Sequence, residues 1–386
     1  MGATLSDKIE GALASQEMRQ AFFTDKWTDL KYSEEEEKRI QPGSYEPVNE
    51  GECWRVPDGF VPPPGVTVLE ALKQLLPRDR QHYAMSETEG VTTYVGYSYL
   101  FPLQGNWNIP DNFFMRSSPK STEGRMFNFV RLVADGISRY DDVRGPFKGK
   151  MYAMVRPLVF NNVIFPGFSQ TQLRMYCRRQ CVLPDSDLLR LINQHNLVKH
   201  DGKPIPVDEL QFDNGLLLTA DLKGEQSEGL VGFKALKNPD PVDRRKFREY
   251  DWQLYFDPVF APKEGYLQQR KGEFYLTQSW EWVEMTDTQA GVMMDYRTNL
   301  MESRGHLAGY FDPKKFMGIA TLETPVVEDM NIPHRRPTCA INYEEMRIMP
   351  DKRYEGKHLG QTFALVPKPM TLPTQEQIKQ LREARG

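Results

Sequence analysis

The sequence predicts an α+β fold: a mixed, mainly antiparallel sheet core with several helices, flanked by an extended N-terminal arm and an extended C-terminal tail. Two observations predict it. Strand-like alternation and helix-like periodicity are interspersed without a regular strand–helix–strand rhythm, which disfavours a doubly wound sheet. Proline and glycine, 28 of each in 386 residues, crowd residues 41–65 and recur beyond residue 349, where fixed φ angles and missing donors oppose regular structure.

The elements follow in chain order. Residues 5–23 read as a helix, with Leu5, Ile9, Ala12 and Leu13 on one narrow stripe and Thr4 and Asp7 forming a capping box. The acidic run 34–37 reads as a solvated helical face. Residues 1–65 are therefore assigned to an extended arm with a helix, 66–349 to an α+β core, and 350–386 to an extended tail with a short helix. Within the core, residues 68–76 form a short helix stopped by Pro77. Residues 91–101 alternate as a strand. Met126, Phe129, Val130, Val133 and Ile137 recur at helical spacing and predict one buried helix face. Residues 151–160 read as a strand. Residues 170–182 and 186–195 read as two helices split by Pro184, with Asp185 as a cap. Strands follow at 215–222, 230–236, 252–256 and 274–285, with a charged helix over 242–250. Further strands are expected at 319–327, 339–348 and 362–366, and a closing helix at 375–384. No internal repeat of fixed period is visible.

Composition excludes several classes. The net charge is −4, whereas a nucleic-acid binder usually carries a basic excess to neutralise phosphates. Four cysteines are too few for a disulfide scaffold, and no Asn-x-Ser/Thr acceptor occurs. Both facts point to an intracellular or organellar protein. No run of about 18 apolar residues encodes a transmembrane helix, so peripheral membrane association would run through partners. The start Met1-Gly2-Ala3-Thr4-Leu5-Ser6 matches a myristoylation pattern at Gly2, but Asp7 and Glu10 deny it the basic patch a single acyl chain needs.

Catalytic signatures are absent. There is no G-x-G-x-x-G, and Gly145-Pro146-Phe147-Lys148-Gly149-Lys150 is one residue short of a P-loop and runs on into Met151 where a Mg²⁺-binding hydroxyl is needed. Gly167-Phe168-Ser169-Gln170-Thr171 lacks the second glycine of a nucleophile elbow. Asp185/Asp187, Asp141/Asp142 and Glu281/Glu284 could be cast as acid–base pairs, as could many others in a chain with 53 acids. Trp280 and Trp282 flank Glu281 and suit either sheet core or stacking on a base or sugar.

One spacing carries specific chemistry. Cys177, Cys181, His195 and His200 follow the order of a Cys₂His₂ site, and two thiolates with two imidazoles suit tetrahedral Zn²⁺. Against this, Leu173, Tyr176, Cys177 and Cys181 also form an apolar helical stripe that would turn both thiols into a core, and a Cys177–Cys181 disulfide is a third reading. The sequence thus favours a non-catalytic structural subunit of a large assembly, reaching other subunits through its arm and tail. A mitochondrial energy-transducing complex, an ATP synthase or the respiratory chain, fits best. An enzyme with scattered site residues and a viral or phage structural protein are the alternatives.

Overall fold

Alternation with a period of two governs more of this chain than helical periodicity does. The computed structural model describes residues 5–7, 9–225, 227–294, 299–300, 307–355 and 359–385. Among them lie 26 strands and six α-helices, the longest helix having 11 residues. The fold is thus mostly β, and the α+β expectation is corrected. The myristoylation pattern at Gly2 lies outside the described residues.

The strands that matter for function fall in two halves. In the first, β1 (Phe113–Pro119) leads into the one-turn helix α1 (Ser121–Arg125), then β2 (Asn128–Ala134), β3 (Met151–Pro157) and β4 (Thr171–Cys177). β4 pairs antiparallel with β1, and β3 pairs antiparallel with β2. The second half opens with helix α2 (Asp185–His195) and continues through β5 (Phe274–Glu284), β6 (Gln289–Met294), β7 (Met317–Pro325) and β8 (Pro337–Glu345). Here β8 pairs antiparallel with β6, and β7 with β5.

The expected helix over Met126–Ile137 is instead β2. Val130 and Leu132 are buried while Phe129 and Arg131 are half-exposed, so the strand period governs here and Phe129 and Val130, expected on one face, fall on opposite faces. β-Branched Val130 and Val133 favour a pleated surface. Phe127, at φ 54, reverses the chain between α1 and β2. The helix expected over 170–182 is β4, whose seven residues are all buried. A strand covered on both faces loses its alternation and mimics a helix segment. The charged helix over 242–250 gives way to the short strand Val242–Asp243. Strand 91–101 is split into Val91–Thr93 and Ser98–Pro102 around Gly96, at φ 88. Strands 151–157, 274–284 and 317–325 and helices 68–74 and 375–383 lie where periodicity put them.

The first 65 residues do not form a free arm. The expected helix from Leu5 begins only at Ser15, and Leu13, Met18, Phe22, Trp27, Ile40 and Tyr45 enter one core with Trp107, Leu132 and Met175. Phe22 packs edge-on against both Tyr45 and Trp107. At the other end, Val366, Met370 and Ile378 pack with Phe233 and Trp252. Both ends thus bury their apolar residues in their own chain, which removes the reason for assigning them to other subunits.

Candidate active site

Two short stretches, one from each half, meet in a cleft. The first is Lys120 to Arg125, where β1 ends and α1 makes a single turn. Glu123 in this turn is buried and accepts from Asn128 Nδ2 at 2.7 Å and from Arg244 Nη2 at 2.6 Å. The Glu123 and Arg244 side chains are each 1% exposed. A buried ion pair of this kind, with further hydrogen bonds, holds a turn in one position. Arg125 then projects across the half–half boundary. Its Nη2 donates to Thr321 Oγ1 at 3.1 Å and to Gln361 Oε1 at 2.8 Å. Burial holds its guanidinium down at about 10, against the charge of Glu323.

The second stretch is β7, which carries Glu323. Its carboxylate Oε2 accepts the backbone N–H groups of Leu307 and Ala308, each at 2.9 Å. Removal from water nevertheless dominates and pushes this carboxyl up to about 7 from an ordinary 4.5, although both N–H groups and Arg125 pull it down. The fit is close: a Cβ on Gly124 would stand 2.4 Å from Glu323 Oε2. Glycine at 124 is what lets the carboxylate lie against the α1 backbone.

Aspartate 312 adds a second buried acid to the cleft. It accepts from the Gly43 N–H at 3.0 Å, and burial raises it to about 7. Phe311 and Phe316 stack with centroids 4.2 Å apart, and Tyr354 leans on Phe316 at 5.6 Å. Lys120, Ser121, Tyr354 and Gln361 complete the polar wall. The cleft therefore offers a carboxyl poised near neutrality, cationic groups on one side and an aromatic side wall. That combination suits proton transfer on a flat polar ring bearing an anionic tail.

Known proteins resemble the chain in both halves. A family model described as the 2'-deoxycytidine 5'-triphosphate deaminase (DCD) N-terminal domain matches residues 9–179, and the DCD C-terminal domain matches residues 184–364. The chain belongs to the 2'-deoxycytidine 5'-triphosphate deaminase family. Among solved structures, the 2'-deoxycytidine 5'-triphosphate deaminase from Agrobacterium tumefaciens is similar at a TM-score of 0.79 and 26% identity, covering 89% of this chain and 97% of that one. No curated protein matches.

Membership of a deaminase family overturns the non-catalytic structural subunit, and with it the ATP synthase, the respiratory chain and partner subunits held by the arms. The mitochondrial placement fails too, since the similar structure is bacterial. The viral or phage alternative has no support. An enzyme whose site residues are scattered is the alternative the deaminase family backs.

The four sequence-predicted metal ligands are not brought together. Cys177 is fully buried in β4, with its thiol directed at the Asp7 carbonyl at 3.4 Å. Cys181 is half-buried beyond the strand, and His195 lies exposed at the end of α2. Both cysteines are free, which also sets aside the disulfide. His200 stacks on Trp280, with centroids 4.1 Å apart, and its Nδ1 bonds the Trp280 carbonyl at 3.0 Å. Its ligand-like neighbours are Asp201 and Glu225, at the surface, with all three donor atoms within 4.8 Å. Nothing there selects zinc. Trp280 stacks on His200, with the Arg335 guanidinium 3.7 Å from its ring centre. Of the carboxylate pairs considered, Glu281 is buried and raised to about 7, but it is fully used by the Thr219 N–H and hydroxyl at 2.7 and 2.6 Å.

Glu323, Arg125 and Gly124 escaped the sequence reading. The available signals were a compact polar turn, Lys120-Ser121-Thr122-Glu123-Gly124-Arg125, between two strands, and an acid on an otherwise apolar strand, Ile319-Ala320-Thr321-Leu322-Glu323.

Proposed function

We propose that this chain hydrolyses the exocyclic amine from the cytosine ring of 2'-deoxycytidine 5'-triphosphate, with Glu323 as the proton carrier. The observation that carries the reading is Glu323, a buried carboxyl raised to about 7 in a cleft built by both halves. A group with that affinity takes and returns protons efficiently at neutral pH. Ionised Glu323 takes one proton from water as the hydroxide oxygen bonds to C4 of the ring, and hands that proton to N3. It then takes the remaining hydroxyl proton and passes it to the 4-amino nitrogen, the C4–N bond breaks, and ammonia leaves as C4 becomes a carbonyl. Cytosine and water go in; uracil and ammonia come out.

The remaining wall divides the substrate. Leu307 and Ala308 N–H groups orient the Glu323 carboxylate. Thr321, Gln361 and Arg125 present polar atoms beside it, fixed by their mutual hydrogen bonds. Lys120 and Ser121 at the head of α1 lie where phosphate groups would find N–H and hydroxyl donors. Some deaminases activate water on zinc held by histidine and cysteine; no described residue lining this cleft is either type, so the donor set for that metal is not assembled here. The experiment is direct. Purified protein with 2'-deoxycytidine 5'-triphosphate should release one ammonia per uracil nucleotide formed, followed by absorbance and an ammonia-coupled assay. Absence of turnover with this nucleotide, in folded protein, would overturn the reading.

A further inference from the structure

A second cleft lies on the far side of Met293 and Gly309, which line both it and the catalytic cleft. It encloses about 400 Å³, and its wall carries Arg116, Arg131 and Arg174 beside Ser117 and Ser118. Arg116 and Arg174 are directly opposed across the β1–β4 ladder. Like charges in such a cross-strand position repel. Arg174 is only 5% exposed, yet among the described residues its Nε and Nη1 have no hydrogen-bond partner, and neither has the Nε of Arg116 or of Arg131.

The acids already present balance part of this charge but leave its hydrogen-bond donors unused. Arg131 pairs with Asp141 at 2.6 Å, and Asp142 pairs with Arg144 at 3.1 Å. Arg116 donates only to the neutral Gln180, at 3.1 Å. Glu344 forms an ion pair with Arg174 Nη1 at 3.6 Å and, with Asp312, favours the guanidinium charge, but neither supplies a hydrogen bond to Arg174 Nε or Nη1. The Tyr310 ring lies 4.7 Å from the guanidinium on another side. A guanidinium buried with donors unpaired is costly, and a planar fork of N–H groups matches a phosphate oxyanion.

We propose that this cleft binds a phosphate-bearing anion on Arg174 and Arg116, at a site separate from the catalytic cleft. Met293 and Gly309 would carry its occupancy to the substrate site. The shared chemistry is a polyphosphate, supplied either as free pyrophosphate or as the tail of a nucleotide.

Calorimetry decides it. Inorganic pyrophosphate is titrated into the protein alone, and into a Glu323→Gln variant saturated with 2'-deoxycytidine 5'-triphosphate. ATP is titrated in parallel. Binding at one site per chain that survives saturation, and that weakens at least ~10-fold in Arg174→Met and in Arg116→Met, supports the proposal. Tighter binding of ATP than of pyrophosphate names a nucleotide as the source; equal binding names the bare anion. Arg116 is half-buried, so its variant keeps the test valid should Arg174→Met not fold. Loss of pyrophosphate binding on saturation would make the cleft part of the substrate site and overturn the proposal. So would absence of binding to the unmodified chain. The titration without nucleotide does not depend on the deaminase reading, so the two can fail separately.

Discussion

Replacing Glu323 by glutamine separates what the site costs in stability from what it contributes to chemistry. In the folded chain this carboxyl protonates near 7, against 4.5 in the ordinary state, because burial disfavours its charge. The sign follows from linkage. Between these two values the folded state holds a proton that the unfolded state has released, so stability falls as pH rises through this window. By pH 8 a displacement of this size removes on the order of 3 kcal/mol. Glutamine cannot ionise, and its Oε1 can still accept from the Leu307 and Ala308 N–H groups. Glu323→Gln should therefore be more stable than the parent by about 1–3 kcal/mol at pH 8, and nearly equal to it at pH 4.5. Asp312 and Glu281, both also raised to about 7, titrate in both proteins and cancel in the difference. Urea unfolding at the two pH values, with unchanged dependence on denaturant, measures it. A variant less stable than the parent at pH 8, or a difference that does not change with pH, would refute the account of Glu323 as a desolvated acid.

Further outcomes are expected elsewhere. Gly124→Ala places a methyl 2.4 Å from Glu323 Oε2, so it should cut turnover by ~100-fold or more while the fold, read by circular dichroism, persists. Arg244→Met strands the buried charge of Glu123 and should cost about 3–5 kcal/mol; adding Glu123→Leu, which makes the pair apolar, should recover most of that in the same unfolding assay. Leu132→Ala should cost about 2–5 kcal/mol, because Leu132 is 1% exposed, whereas half-exposed Phe129→Ala should cost clearly less; the reverse order would favour a helix over β2. The rate of deamination should rise with pH, pass half its maximum near 7 and level off about one unit higher, as Glu323 ionises to become the base. A flat profile from pH 5 to 8 would contradict that role.

Legibility in the sequence followed burial. β5 and β7 each keep an alternating stretch, Ser279–Glu284 and Met317–Ala320, beside a stretch covered on both faces, and helices with capping residues, such as the one begun by Thr67 and Glu70, were found in place. β4 hid because all of its residues are covered, which erases the period. β2 hid because Phe129, Val130 and Val133 fall by chance at helical spacing, while its alternating buried face includes the polar Asn128 beside Val130, Leu132 and Ala134. The first 65 residues misled for a different reason. Proline excludes regular structure but not burial, and Trp27, Ile40 and Tyr45 reach the core from irregular backbone. The candidate cleft was invisible because its parts are about 200 residues apart in sequence, Arg125 and Glu323, and only the fold joins them. The Cys177–His200 spacing is the converse case: residues near in sequence that separate strands carry apart.

The most direct test of the account compares binding with turnover in Glu323→Gln. The account predicts that this variant binds 2'-deoxycytidine 5'-triphosphate within a few-fold of the parent, since Lys120, Ser121, Thr321 and Gln361 are intact. It also predicts that release of ammonia falls by ~100-fold or more. Retention of parental turnover in the folded, nucleotide-bound variant would contradict it.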